Sequence, residues 1–80
     1  MVTIRLFGLL SDYGGPRVLT VEAKTVSDAL NQIALLGVDK DLIRGAQVFV
    51  NNCHLKGVRR LSRKLNCGDE LVLLSPAGGG

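Results

Sequence analysis

The chain has 80 residues, 46 % of them hydrophobic but only 4 % aromatic and none of them tryptophan, with a formal net charge of +3. That length allows one domain, which on folding buries roughly 60 to 65 % of its surface and holds a small core of Val, Leu and Ile without cross-links. A modest positive charge without interleaved aromatic residues makes nucleic acid an unlikely partner, and no stretch approaches the roughly 20 apolar residues of a membrane span.

Val2, Ile4 and Leu6 alternate with Thr3, Arg5 and Phe7, the period of a strand with one buried face, which turns Phe7 away from the core. Gly8 to Asp12 read as a loop and Gly14-Gly15-Pro16 as a turn. Arg17 to Glu22 predict a second strand, with Val18 or Leu19 inward, that forms a hairpin with the first. Thr25-Val26-Ser27-Asp28 is a capping-box pattern, in which the threonine hydroxyl takes a free backbone N–H and the aspartate reaches back. The helix it starts carries Val26, Ala29, Leu30 and Ile33 in one stripe and is ended by Gly37. A short helical turn is expected over Asp39 to Arg44, then a strand over Ala46 to Val50. Asn51-Asn52 tolerates positive φ and predicts a turn into a short return strand, Cys53-His54-Leu55. Leu61 and Leu65, four apart, suggest one helical turn, after which Asn66-Cys67-Gly68-Asp69 turns the chain into its final strand. There Leu71 and Leu73 alternate with Val72 and Leu74, so apolar side chains face both sides of a sheet that one helix covers on one side only.

Two strands, a helix and further strands make an α+β order with the helix packed on one sheet face. The strong apolarity of the first and last strands places them side by side at the sheet centre. Cys53 and Cys67 are too few for a disulfide scaffold and too far apart for a C-x-x-C redox or zinc motif. Reduced thiols in a cytoplasmic protein are expected, with a single bridge between them as the alternative. No basic flank and apolar run marks a signal peptide.

Catalytic signatures are missing. The sequence has no P-loop, no G-x-G-x-x-G, one histidine, and no Ser/His/Asp or carboxylate pair with supporting context. The chain is not expected to catalyse a reaction alone or to bind a metal or cofactor itself. His54 on a short edge strand reads as a solvated residue or a partner contact. Arg59, Arg60, Arg63 and Lys64 form the one basic cluster, which if helical shares a face opposite Leu61 and Leu65. It is either a solvated surface or a docking patch for an acidic partner.

The final stretch, Asp69-Glu70-Leu71-Val72-Leu73-Leu74-Ser75-Pro76-Ala77-Gly78-Gly79-Gly80, carries the most information. Glycines cost more conformational entropy to order than any other residue, so residues 76–80 are expected to form a flexible tail behind a domain spanning 1–75. A backbone without Cβ atoms can thread a narrow channel and deliver the Gly80 α-carboxylate to a partner. A Gly-Asp-Glu turn, a strand, a proline and terminal glycines in that order resemble the MoaD/ThiS group of ubiquitin-like sulfur carriers, most closely the small subunit of molybdopterin synthase. Val2-Thr3-Ile4-Arg5-Leu6-Phe7 and Val48-Phe49-Val50-Asn51-Asn52 extend the likeness over nearly the whole chain. Ser75-Pro76 stands where that group usually has two prolines, and Gly78 where a slightly larger residue is common.

The resemblance implies a β-grasp fold: a mixed sheet, its first and last strands parallel neighbours, with one main helix. It further implies that an α-carboxylate, ionised at neutral pH with a pKa of about 3.5 and inert to acyl transfer, is activated by an E1-like adenylating enzyme using ATP and Mg²⁺. A sulfur donor enzyme then supplies sulfur as a persulfide, leaving a thiocarboxylate at Gly80, with Gly79 threaded beside it. The larger molybdopterin synthase subunit would accept the tail, Pro76, Ala77 and Gly78 included, and transfer the sulfur to a pterin precursor. Phe7, Val72 and Leu74 are the expected docking residues, with Arg59, Arg60, Arg63 and Lys64 steering the approach. Two other readings stay open: a carrier for thiamine, cysteine or tRNA thiolation, within which conjugation to lysines also falls, and a non-catalytic β-grasp binding or adaptor module.

Overall fold

The computed structural model describes residues 1–75. Pro76, Ala77, Gly78, Gly79 and Gly80, on which the expected tail rests, lie outside the described residues. Five strands form one sheet: β1 (Val2–Gly8), β2 (Val18–Val21), β3 (Gln47–Val50), β4 (Cys53–Leu55) and β5 (Glu70–Ser75). Their order is β2-β1-β5-β3-β4. β1 and β5 are parallel, and the other neighbours are antiparallel. The last strand is therefore the middle one, flanked by the first, as the apolar content of both predicts.

Alternation decides which side chains meet. Val2, Ile4 and Leu6 of β1, Leu71 and Leu73 of β5, and Val48 and Val50 of β3 all point to one face and are almost fully buried. Helix α1 (Val26–Leu35) lies over them with Val26, Ala29, Leu30 and Ile33. Thr25 caps it: its hydroxyl accepts from the Asp28 N–H at 3.2 Å, while the Asp28 carboxylate accepts from the Lys24 N–H at 3.2 Å. Gly37, at φ +103°, ends it. A second, five-residue helix, α2 (Lys40–Arg44), is capped by Asp39. Asn51 and Asn52 both take positive φ in the tight β3–β4 turn.

Three expectations are corrected. Gly8 ends β1 and a 3-10 helix, Leu9–Asp12, replaces the expected loop, placing Leu10 wholly in the core. The turn expected across Leu61 and Leu65 is a 3-10 helix, Val58–Ser62, that ends before Leu65. Leu65 is drawn into the core because its N–H donates to the Lys24 carbonyl at 2.9 Å, in extended chain, while Leu61 stays 40 % exposed. Arg59, Arg60, Arg63 and Lys64 consequently share no helical face: the first two lie on the 3-10 helix, Arg63 caps it, and Lys64 bridges to Thr25. Of the alternatives for β2, Leu19 packs against the core and Val18 faces outward.

Candidate functional site

The sheet face that α1 leaves uncovered is built by the odd residues of β1 and the even residues of β5. Phe7 pairs in register with Leu74, and Val72 lies between Arg5 and Phe49. Phe7 is 48 % exposed, while Val72, Leu74 and Phe49 are half-buried by one another. The predicted trio is thus brought together at the end of the sheet where β5 finishes. Two further residues extend the surface: Phe49, opposite Val72, which sequence reasoning missed, and His54, opposite Phe49, which it read as solvated or a partner contact; their rings stack at 4.6 Å and 24°. The period-2 alternation of Phe49 with Val48 and Val50 was the signal that could have found it. The resulting apolar stripe crosses β1, β5, β3 and β4. Arg5 and Glu70 flank it as an exposed ion pair at 2.9 Å, a contact worth under about 1 kcal/mol. Contiguous apolar side chains left open on a small domain mark an interaction surface.

The exit of β5 is tightly built. Gly8 and Ser75 are register partners, Ser75 is buried, and Gly8 sits at φ +69°, ψ −144°, a region essentially reserved for glycine. A Cβ there would collide with the Ser75 carbonyl oxygen.

The Gly-Asp-Glu turn organises the other end of the same strand. Gly68 takes φ +90°. The Asp69 carboxylate accepts from the Asn66 N–H at 2.8 Å and from Asn51 Nδ2 at 3.0 Å, and Asn51 Oδ1 accepts from the Glu70 N–H at 2.9 Å. This knot ties the β3–β4 turn to the start of β5, so the motif is structural and not part of the exposed face. The Asn66 N–H, then Asn51 and the Arg63 charge, hold the Asp69 carboxyl below its ordinary value of 3.8. A depressed folded pKa contributes stability above the ordinary value that is lost as pH falls through the folded one. Asp69→Asn should therefore lower the melting temperature at neutral pH, with the gap to wild type closing below the ordinary carboxylate pKa. Melts recorded from about pH 7 to pH 2.5 check this; a gap independent of pH would contradict it.

The basic cluster is not brought to the stripe. The Arg63 carbonyl accepts from the Val26 N–H at 3.0 Å, and Gly68 N–H donates to the Met1 carbonyl. Arg63 and Lys64 therefore lie beside the start of α1, where β1 and β5 begin, at the opposite end from Ser75. The Cys53 and Cys67 thiols are free and exposed. Among the described residues no group of three or more His, Cys, Asp or Glu is placed to hold a metal ion, and no helix is long and apolar enough to cross a membrane.

A five-stranded mixed sheet with central parallel β1 and β5 and one main helix on one face is a ubiquitin-like β-grasp. Solved structures share it. The small archaeal modifier protein 1 of Methanosarcina acetivorans matches at 23 % identity and TM-score 0.76, with 99 % of this chain and 95 % of that one covered. The complex of subunits 1 and 2 of molybdopterin-converting factor from Helicobacter pylori matches at 20 % identity, TM-score 0.72 and 99 % and 97 % coverage. The BexX/CysO complex of Amycolatopsis orientalis matches at 24 % identity, TM-score 0.70 and full coverage of both chains. At these identities the likeness is one of fold. No curated protein matches by sequence. The model described as the ThiS family matches residues 4–80, and the chain belongs to that family of ubiquitin-like sulfur carriers.

Phe7→Ala and Leu74→Ala should weaken binding to a partner protein that docks on this face at least about tenfold, since truncating an interface anchor costs about 2 kcal/mol. Stability should fall only slightly, as Phe7 is half exposed. Calorimetric titrations beside thermal melts test this; large stability losses with unchanged affinity would reverse the assignment of the face.

Proposed function

We propose that the chain carries sulfur on its C-terminal glycine as the small subunit of a molybdopterin synthase. The Gly80 carboxylate attacks the α-phosphorus of ATP, held with Mg²⁺ by an E1-like enzyme, and pyrophosphate leaves. A persulfide from a sulfur donor enzyme displaces AMP at the carbonyl carbon. Reduction of the acyl disulfide by a thiol then frees the thiocarboxylate, whose sulfur passes to a pterin precursor in the larger subunit.

The observation that carries this reading is a family match running through Gly80 itself, on a strand that sits at the centre of the sheet. The two-subunit Helicobacter pylori complex supports a partner of the synthase kind. The ThiS description and the CysO complex favour a second reading, with thiamine, cysteine or tRNA thiolation as the destination.

The test is reconstitution with an E1-like enzyme, ATP, Mg²⁺ and a persulfide donor, followed by intact mass. One oxygen should be exchanged for sulfur at Gly80, and adding a larger synthase subunit and a pterin precursor should remove it. No exchange would reject the carrier. Exchange with delivery only to a thiazole precursor, an activated serine-derived substrate or tRNA would move the protein to the second reading.

A further inference from the structure

On the other side of the sheet, α1, α2 and the 3-10 helix Val58–Ser62 enclose a groove of about 280 Å³. Its apolar lining is Leu30, Ala34, Ile43, Val48 and the partly exposed Leu61. Lys40, Arg44 and Arg60 rim it. Arg60 is held at the rim by hydrogen bonds to the carbonyls of Gly57 at 2.9 Å and Arg44 at 3.5 Å, which fix the guanidinium without neutralising it. Among the described residues the only carboxylate paired with a rim cation is Asp41, at 3.8 Å from Arg44 with both side chains largely exposed. Three of the ten Lys and Arg residues, Lys40, Arg44 and Arg60, line this one groove, and no Asp or Glu is among the described residues that line it.

From this charge asymmetry over an apolar floor, we propose that the groove is a second docking surface that takes an acidic amphipathic segment of a partner protein. Its apolar side chains would enter between Leu30, Ile43 and Leu61, and its carboxylates would meet Lys40, Arg44 and Arg60. The volume lies just below the range of drug-sized ligand sites and suits one or two side chains. Nothing aromatic lines the groove for a nucleic-acid base to stack on. Complementary charge across such a rim steers encounter and excludes basic competitors. Because the groove and the Phe7–Leu74 stripe lie on opposite faces, both can be occupied at once.

The test is a ¹⁵N NMR titration of the full chain with a synthetic peptide of Leu and Glu in amphipathic helical register. A version with Lys in place of Glu and a single-stranded oligothymidine serve as comparisons. Saturable shifts should cluster on Leu30, Ala34, Arg44 and Leu61. Lys40→Glu and Arg60→Glu should each weaken binding at least about tenfold, and Phe7→Ala should leave it unchanged. Lys40 is exposed and supports no other contact named above, so its variant keeps the test valid if Arg60→Glu fails to fold. Unsaturable shifts, equal binding of the Lys peptide, oligothymidine bound at the groove as tightly as the Glu peptide, or loss of binding in Phe7→Ala would overturn the proposal.

Discussion

Deleting Gly79 and Gly80 should abolish sulfur loading while leaving the thermal melt of the protein unchanged. The two residues have no side chain to bury, and the buried core that holds the sheet together runs from Val2 to Leu73. The proposed chemistry, by contrast, would need the Gly80 carboxylate at the α-phosphorus of ATP in near-attack geometry, where a misplacement of about 1 Å costs on the order of a hundredfold in rate. Gly79→Val separates reach from crowding: the chain keeps its length, and only a branched side chain is added where, under the proposed function, a partner's channel would close on the backbone. ATP–pyrophosphate exchange with an E1-like enzyme should fall at least about a hundredfold. Normal exchange by Gly79→Val would remove the threaded-tail mechanism, and retention of loading by the deletion variant would remove the carrier reading altogether.

The second large effect belongs to Gly8. Its backbone lies where L-residues rarely go, and an added Cβ would run into the Ser75 carbonyl oxygen, with the carbonyl carbon 3.2 Å away. Backbone, unlike a flexible side chain, cannot swing aside. Relief requires parting the last register pair of β1 and β5, in the middle of the sheet and at the point from which the terminal residues depart. Gly8→Ala should cost about 3 kcal/mol, or about 10 to 20 °C in a domain of this size. Gly14 supplies the control: it also has positive φ, +86°, but an added Cβ would meet nothing within 4 Å. Gly14→Ala should cost only about 1 kcal/mol. Equal losses in the two variants would mean that the approach of Gly8 to Ser75 has no weight. Under the proposed function, Gly8→Ala should also slow loading at temperatures where it is fully folded, because the departure of the chain from Ser75 is re-aimed.

Local chemistry made much of this fold legible in the sequence. Thr25 and Asp28 mark a helix start because a hydroxyl and a carboxylate three residues apart satisfy free N–H groups there and nowhere else. Asn51-Asn52 marks a turn because few other residues accept positive φ twice in succession. The alternation of Val2, Ile4 and Leu6 assigns a buried face to a strand before its neighbours are known, and it rightly turned Phe7 outward. The apolar character of both faces of β5 likewise anticipated an uncovered patch containing Val72 and Leu74.

What remained depended on contacts between residues far apart in the chain. Leu10 belongs to the core only because a 3-10 helix after Gly8 folds it back beneath the sheet. Leu65 is buried and Leu61 is not because the Lys24 carbonyl captures the Leu65 N–H, which overrides a four-residue spacing that reads as helical. The Asp69 carboxyl is held low first by the neighbouring Asn66 N–H and then by Asn51, eighteen residues away; that second, distant contact turns the Gly-Asp-Glu signature into a structural knot. Phe49 and His54 join Phe7, Val72 and Leu74 only once β3 is placed against β5. The basic residues are assigned away from that face by the same event, because hydrogen-bond satisfaction along β1 and β5 fixes which end of the sheet each connecting segment must reach. Periodicity states which way a side chain points within its own strand; only the pairing of strands states what it meets.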